Sequence, residues 1–394
     1  DRRARRWAPF TLTRPVGELL FGSMSLRGRA EQVFGVTCEG HISRAALVGF
    51  DEPDAAPTIL ASSVPTDGVR VLISSRAALD FQSIDMSTVP SRIVIDGESA
   101  GWILADGMAA PSEDALRHPI ANAGEAPVLE LEGMVLEHPW DLIARNDQRL
   151  RDDAAHLWTD DSTPPGVIRI GSGVISLAEG AEIEPGVHVD VRDGPVRLES
   201  GARIEGPARI TGPLHLGRDS TVLGGSVGNS TIGPVCLVRG EVTHCVFLGY
   251  VNKAHDGHIG HGMMGRWVNL GAFTTNSDLK NNYGNVRVWT PDGDTDTGLM
   301  KVGCFLGDHV KTGIGTVLNT GTVIGAGSNV FGGIMPPTVV PPFCWGAGKD
   351  LRDHRLEKFL DTAGKAMARR GQELTPGVVE ILRTAWARTA GRRE

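Results

Sequence analysis

Between Glu241 and Trp289 the sequence gathers groups that could move protons and hold anions. It reads Glu241-Val-Thr-His-Cys245, then Asn252-Lys-Ala-His-Asp-Gly-His258, then Trp267-Val-Asn-Leu-Gly-Ala-Phe-Thr274. Lys280-Asn-Asn-Tyr-Gly284 and Arg287-Val-Trp289 follow. Imidazoles titrate near neutral pH and suit general acid–base work. Lysine and arginine supply the charge-assisted donors that a phosphate needs. Such groups act only if the chain around them holds them still.

The flanking sequence supplies that frame. Apolar residues recur every six positions at Leu177, Ile183 and Val189, and again at Leu198, Ile204, Ile210, Leu216 and Val222. The same spacing returns at Leu306, Thr312, Leu318, Ile324 and Val330. A helix repeats at 3.6 residues and a strand at 2, so a period of six predicts a parallel β-helix. Each hexapeptide makes one flat side and a corner, and three sides close a coil of about eighteen residues that touches only its neighbours. Small or aliphatic residues four positions on, such as Ala181, Ala202, Ser220 and Ser328, fit the corners. The rhythm breaks between 228 and 300, and interruptions of a solenoid are expected as surface loops that carry function.

Residues 1–160 read differently. A helix is expected near Pro15, capped by Thr13, with Leu19, Leu20 and Met24 on its apolar face. β-like runs follow at 45–50, 69–73, 92–95, 102–105 and 128–136, with a turn at Asp96-Gly97 and a helix ending near Trp158. This alternation predicts an α/β domain. The Gly-rich loop of a standard nucleotide site is not visible in it. Arg14 is a candidate phosphate contact, and Asp96 or Asp106 a candidate Mg²⁺ ligand. Thr159–Gly166 is expected to link the domain to a β-helix over 167–346. Helices at 351–363 and 376–390 are expected within the tail 347–394, either capping the prism or meeting a neighbouring subunit.

Composition narrows the class. A net charge of −8 gives no reason to expect nucleic acid as the partner, and 51 glycines with 5% aromatics suit a narrow, many-cornered core. Five scattered cysteines without a CxxC suggest neither a disulfide framework nor a zinc knuckle. No apolar run approaches a membrane span. The start lacks an apolar signal core and an initiator Met, so a cytoplasmic protein with some N-terminal residues missing is expected.

The prism, with His255, Ile259-Gly260, Gly265, Val268-Asn269-Leu270-Gly271-Ala272 and Thr274, and Asn282-Tyr283 beyond, resembles the acetyltransferase half of GlmU. Further matches are Thr13-Arg-Pro-Val-Gly-Glu18, Asn252–Gly257, Ser277-Asp-Leu-Lys-Asn-Asn-Tyr283 and Thr312-Gly-Ile-Gly315. With them, nearly the whole chain resembles the alternative bacterial GlmU-like group of sugar nucleotidyltransferases. The resemblance implies a reduced nucleotidyltransferase-like α/β domain, a left-handed parallel β-helix of hexapeptide repeats, and C-terminal helices. It places the general base on His255, supported by Glu241 fourteen residues earlier, with Asn282 and Tyr283 facing the reacting groups. Arg239, Lys253, Lys280 and Arg287 are the implied phosphate contacts, and His258 and Asn269 further substrate contacts. Acetyl-CoA is expected along Thr312, Asn319 and Gly332. Two positions depart from the family: His258 stands where GlmU has a substrate-contacting Tyr, and Ile314 where it has a Ser near the thioester.

The expected activity is therefore N-acetylation of an amino-sugar 1-phosphate by a homotrimer, in the line of UDP-N-acetylglucosamine biosynthesis. Nucleotidyl transfer by the first domain, with Mg²⁺, is the companion expectation. Other readings are a nucleotidyltransferase alone, a metal enzyme using His255, His258 and His261 as β-prism carbonic anhydrases do, and a non-catalytic sugar-nucleotide binder.

Overall fold

The structure of the chain, a computed structural model, describes residues 3–112, 116 and 126–392; the first two residues of the basic start and the last two of the tail lie outside them. From Ile168 onward short strands stack in parallel, coil on coil, along three faces. On the first face Ile168, His188, Arg209, Ser226, Glu241 and His258 lie one above another. On the second the column runs Ser176, Arg197, His215, Thr231, Val246, Met263, Phe305, Val323, Val339. On the third it runs Glu182, Arg203, Thr221, Leu237, Asn252, Asn269, Lys311, Asn329, Trp345.

These columns point outward, and the residues after them point in. Leu198, Ile204, Ile210, Leu216 and Val222 occupy successive inward positions and are buried, as are Leu306, Leu318, Ile324 and Val330. Each fully buried aliphatic contributes roughly 1.5–3 kcal/mol. Strands of two or three residues could not stand alone, so the stack supplies their stability. Serines stitch the corners: Ser220, Ser230 and Ser328 accept from the backbone N–H of Cys236, Cys245 and Cys344 at 2.8, 3.0 and 3.1 Å. The first-face column from His188 to His258 steps by 21, 17, 15 and 17 residues, so coil length varies while register holds. One corner needs glycine for lack of room. A Cβ on Gly225, Gly240 or Gly257 would lie 2.4, 2.7 or 2.3 Å from a carbonyl oxygen of the next coil, and all three have positive φ.

Residues 277–303 leave the corner between the first and second faces. They form a turn near Lys280, then a hairpin of Arg287–Thr290 with Gly293–Asp296, and return at Lys301 opposite Leu279. The N-terminal region carries a four-stranded sheet in the order Arg70–Ile73, Glu98–Leu104, Ser91–Ile95, Val128–Leu131. Trp7, Phe10, Phe21 and Trp140 pack onto Val246, Met263, Phe305 and Val323, so this region lies along the second face. Thr159–Gly166 is no loose linker: Asp160 and Asp161 accept from the N–H groups of Leu177 and Ile175 at 3.0 and 2.9 Å, binding it to the first coil.

Several local expectations are corrected. Pro15 precedes only a 3₁₀ turn, Val16–Glu18. The helix begins later, at Leu26–Phe34, where the Ser25 hydroxyl accepts from Gly28 N–H and Gly35 in the left-handed region ends it. The run at 45–50 is a 3₁₀ turn, not a strand. Leu351 belongs to the strand Asp350–Asp353, and the tail helices are Leu356–Ala368 and Pro376–Arg388. They lie on this chain's own prism, Phe359 against Phe343 and Met367 against Tyr250 and Trp267.

A buried ionic knot ties the regions together. Arg14 donates to Asp308 at 2.8 Å and to Glu52 at 2.8 and 2.9 Å, and Arg266 donates to Glu52 at 2.8 Å. Thr13 donates to Asp308 at 2.6 Å, and Asp308 also accepts from the Arg266 N–H. Burial alone would lower the Arg14 pKa, but the two carboxylates more than offset it and raise it. They spend the guanidinium completely, so Arg14 is not the phosphate contact expected from the sequence. Removing one partner of such a buried group leaves the other uncompensated. Asp308→Asn is expected to destabilise the chain by about 3 kcal/mol in urea unfolding; a loss below about 1 kcal/mol would show that the knot does not hold the regions together.

Candidate functional site

The polar stretch becomes three adjoining groups on and beside the first face. Their positions follow from coil geometry: a side chain meets the residue one coil away, not one a fixed number of residues away. Glu241 is the register partner of His258, and its Oε1 lies 3.2 Å from His258 Nδ1. Glu241 therefore supports His258, and its pairing with His255 is corrected. Fourteen residues is short of one coil here; seventeen is the full turn.

The second group sits at the corner between the third and first faces. His255 stands exposed there, beside Asp256. Lys253 occupies an inward position in the third-face column, level with Val238 above it. Its side chain is buried, and Nζ donates to the carbonyls of Arg239 (2.9 Å) and His255 at the adjoining corner. Burial pushes its pKa down to about 8. Lys253 is thus committed to the backbone under His255 and is not presented at the surface. Arg239 is half-exposed and directs Nε to Asp256 at 3.2 Å, leaving it at the surface beside His255.

The third group lies at the opposite corner of the same face, and the sequence reading missed most of it. His244 and His261, seventeen residues apart, stack with ring centroids 4.5 Å apart and planes within 2°. His261 Nδ1 is 2.7 Å from Asp278, and His244 Nε2 is 3.2 Å from Asp147. The hydrogen bond from His261 holds the Asp278 carboxyl below the usual range. His258 Nε2 and Asp278 Oδ2 each lie 2.6 Å from where a Cβ on Gly260 would sit, so this group borders the Glu241–His258 pair. The coil period would have found it: 241 with 258, and 244 with 261 and 278, share one seventeen-residue step.

The remaining candidates are dispersed. Asn282 and Tyr283 are exposed on the excursion, with Asn282 Oδ1 accepting from Gly284 N–H at 3.1 Å. Lys280 donates to the Asn285 carbonyl and Arg287 to the Asp294 carbonyl, at 2.7 and 2.6 Å, so both cations brace the excursion. Asn269 accepts from Asn252 at 2.9 Å on the third face. Thr312 is inward and buried, its hydroxyl bonded to Thr274 Oγ1 at 2.7 Å. Asn319 and Gly332 are exposed at different corners and are not gathered with it.

The two aspartates considered for Mg²⁺ are not brought together, and the three histidines do not converge on one point. Asp96 and Asp106 sit beyond opposite ends of the strand Glu98–Leu104, roughly 20 Å apart at ordinary strand rise. Asp106 also accepts from Gly68 N–H at 2.7 Å. Of the three imidazoles considered as metal ligands, His258 and His261 face separate carboxylates, and no group of His, Cys, Asp and Glu suited to a metal occurs among the described residues.

Fold and site together define a chain of two parts, an α/β region laid along a parallel β-helix whose first face is rich in imidazole and carboxylate. Residues 1–162 match the sugar nucleotidyl transferase family model. A stretch of 95 residues is 30% identical to the bifunctional sugar-1-phosphate nucleotidylyltransferase/acetyltransferase of Sulfurisphaera tokodaii. The match spans 24% of this chain and 24% of that protein, so about a quarter of the relative's length is represented. A solved Bacillus cereus chain described as a candidate acetyltransferase is similar over 57% of this chain and 97% of its own, at 14% identity and a TM-score of 0.26. At that score the β-helix rests on the strand register itself. The resemblance to GlmU-like chains is supported by the match over 1–162 and by the bifunctional relative.

Lys253 yields a signed prediction. Its pKa is near 10.4 unfolded and about 8 folded, so between these values the unfolded chain binds more protons and stability rises with pH. Between pH 8 and 9.5 the wild type should gain about 1.5 kcal/mol relative to Lys253→Met, measured by urea unfolding of both proteins. Parallel curves would mean that the ammonium is not desolvated.

Proposed function

We propose that the chain transfers an acetyl group from acetyl-CoA to the amine of an amino-sugar 1-phosphate, with the first face and its corners as the site. What carries this reading is the Lys253-tethered corner. A buried ammonium fixes the backbone on which an exposed imidazole, His255, is mounted next to a second imidazole already held by a carboxylate. The attacking amine must lose a proton as the new C–N bond forms and the thioester breaks. His255 takes it, and Arg239 supplies positive charge for the sugar phosphate. Acetyl-CoA contributes the activated acyl group. The matched region 1–162 supports sugar-nucleotide chemistry or binding in the N-terminal part.

The Glu241–His258 contact favours a second assignment, in which His258 is the base and Glu241 stabilises the imidazolium that forms. CoA release over a panel of amino-sugar 1-phosphates separates the two. If His255 is the base, His255→Ala lowers kcat by about 100-fold or more and His258→Ala mainly raises KM; the reverse split, with Glu241→Gln following His258→Ala, moves the role. No CoA release with any acceptor would sink the acetyltransferase reading.

The same corner supports assembly as a trimer. The second face is covered by the N-terminal region, and the corner between the second and third faces by the tail helices. Phe273, Ile314, Val317 and Ile334 remain exposed on and beside the corner between the third and first faces, at 64, 73, 38 and 53%. Light scattering is expected to give three times the chain mass, falling for Phe273→Asp with Ile314→Asp. A monomeric wild type would remove the trimer and, with it, any site shared between prisms.

A further inference from the structure

The 277–303 excursion carries Asn282 and Tyr283 out from the prism, and its two roots meet at one residue. The His261 ring lies 2.7 Å from the Asp278 carboxylate on the outgoing stem. The His261 carbonyl accepts from Gly303 N–H at 2.9 Å on the returning stem. Between the stems, Val302 N–H donates to the Asp278 carbonyl at 2.9 Å. Just before them the buried Asn276 side chain exchanges two hydrogen bonds with the Gly260 backbone, both of 2.9 Å. His261 therefore clasps the excursion where it leaves and where it returns.

What steadies His261 comes from the N-terminal region. Its ring stacks face to face on His244, one coil away. His244 in turn faces Asp147, at 3.2 Å, on the helix Asn146–Leu157. The same carboxylate oxygen accepts from the Asn229 amide at 3.3 Å, a further coil along. Asn229, His244 and His261 are successive residues of one corner, with φ of 50, 52 and 47°. Asn and His tolerate that left-handed conformation better than most side chains. A ladder thus runs from the helix through two imidazoles to the root of the excursion. The far part of the excursion also meets the N-terminal region: Val286 and Val288 pack with Trp7 and Phe10, and Asp292 lies 3.0 Å from Arg6 Nε. The turn between these two fastenings is exposed, Tyr283 at 68%. Ordering such a turn costs chain entropy, which the contacts at its ends must offset.

We propose that Asp147, His244 and His261 are positioning residues through which the N-terminal region sets where Asn282 and Tyr283 stand, so that the prism site is complete only with the Asn146–Leu157 helix in place. The consequence for catalysis rests on the acetyl-transfer reading; the placement of the turn does not.

Hydrogen exchange of the full chain, followed by mass spectrometry, tests the placement. His244→Asn keeps a residue suited to the corner and removes the ring. Asp147→Ala removes the carboxylate, whereas Asp147→Asn keeps an acceptor oxygen. In His244→Asn and Asp147→Ala the amides of 278–286 and 301–303 should exchange about tenfold faster, the scale of one charge-assisted hydrogen bond. The prism strands from Leu306 to Val330 should exchange as in the wild type, and Asp147→Asn should recover much of the protection. In the CoA-release assay the same two variants should raise KM for the acceptor about tenfold with kcat within about threefold, and Asp147→Asn should again recover. Exchange at 278–286 within about twofold of the wild type in both variants overturns the proposal. So does a loss confined to kcat, which would put the imidazoles in proton transfer instead. Should no acceptor give turnover, the acetyl-transfer reading fails while exchange still decides the placement.

Discussion

On this prism an outward side chain within a face meets first its register partners in the coil above and the coil below. Parallel stacking makes that rule, because the backbone bonds of each short strand are made to its neighbours in the stack and nowhere else. The contacts along the first face are arranged under it. Glu241 meets His258 because they share a column, and Asp278 meets His261 for the same reason. Segments around 241, 258 and 278 are thereby brought together, the last from the first residues of the 277–303 excursion.

The rule also explains what was legible in advance. Ile204, Leu216 and Ile324 announce the prism because each inward position has one requirement, an aliphatic of the right size, repeated at fixed spacing. The site is written in outward positions, where a residue's meaning depends on its neighbour one coil away. Reading that neighbour requires the local coil length, and near the site it is seventeen rather than eighteen. The family resemblance, at fourteen residues, puts Glu241 against His255, whereas the coil puts it against His258. His244 and Asp147 were further out of reach, since their contact joins the prism to a helix of the N-terminal region. Lys253 misled in another way. A lysine in a polar motif suggests a surface cation, yet its register puts it in the aliphatic column, with only its ammonium emerging among carbonyls. Arg14 likewise suggested a phosphate and proved to be a fastener, because its acids, Glu52 and Asp308, come from distant stretches.

The N-terminal region is correspondingly part of the architecture rather than an appendage. Its aromatic residues cover much of the length of one face, the ionic knot closes one edge, and the 159–166 segment is bonded into the first coil. The tail helices complete the enclosure and reach back to the turn Ala45–Leu47. The prism and the N-terminal region therefore keep fixed positions relative to each other.

The uneven coil lengths have a consequence for how such a chain can change. Steps of 21, 17, 15 and 17 residues coexist in one unbroken column, and the whole 277–303 excursion leaves and re-enters without disturbing the faces on either side. Insertions and deletions at a corner are thus absorbed where they occur, while a single residue added within a face would turn inward positions out. The corners are the places where evolution, or a designer, can graft new surface onto this protein and leave its interior untouched.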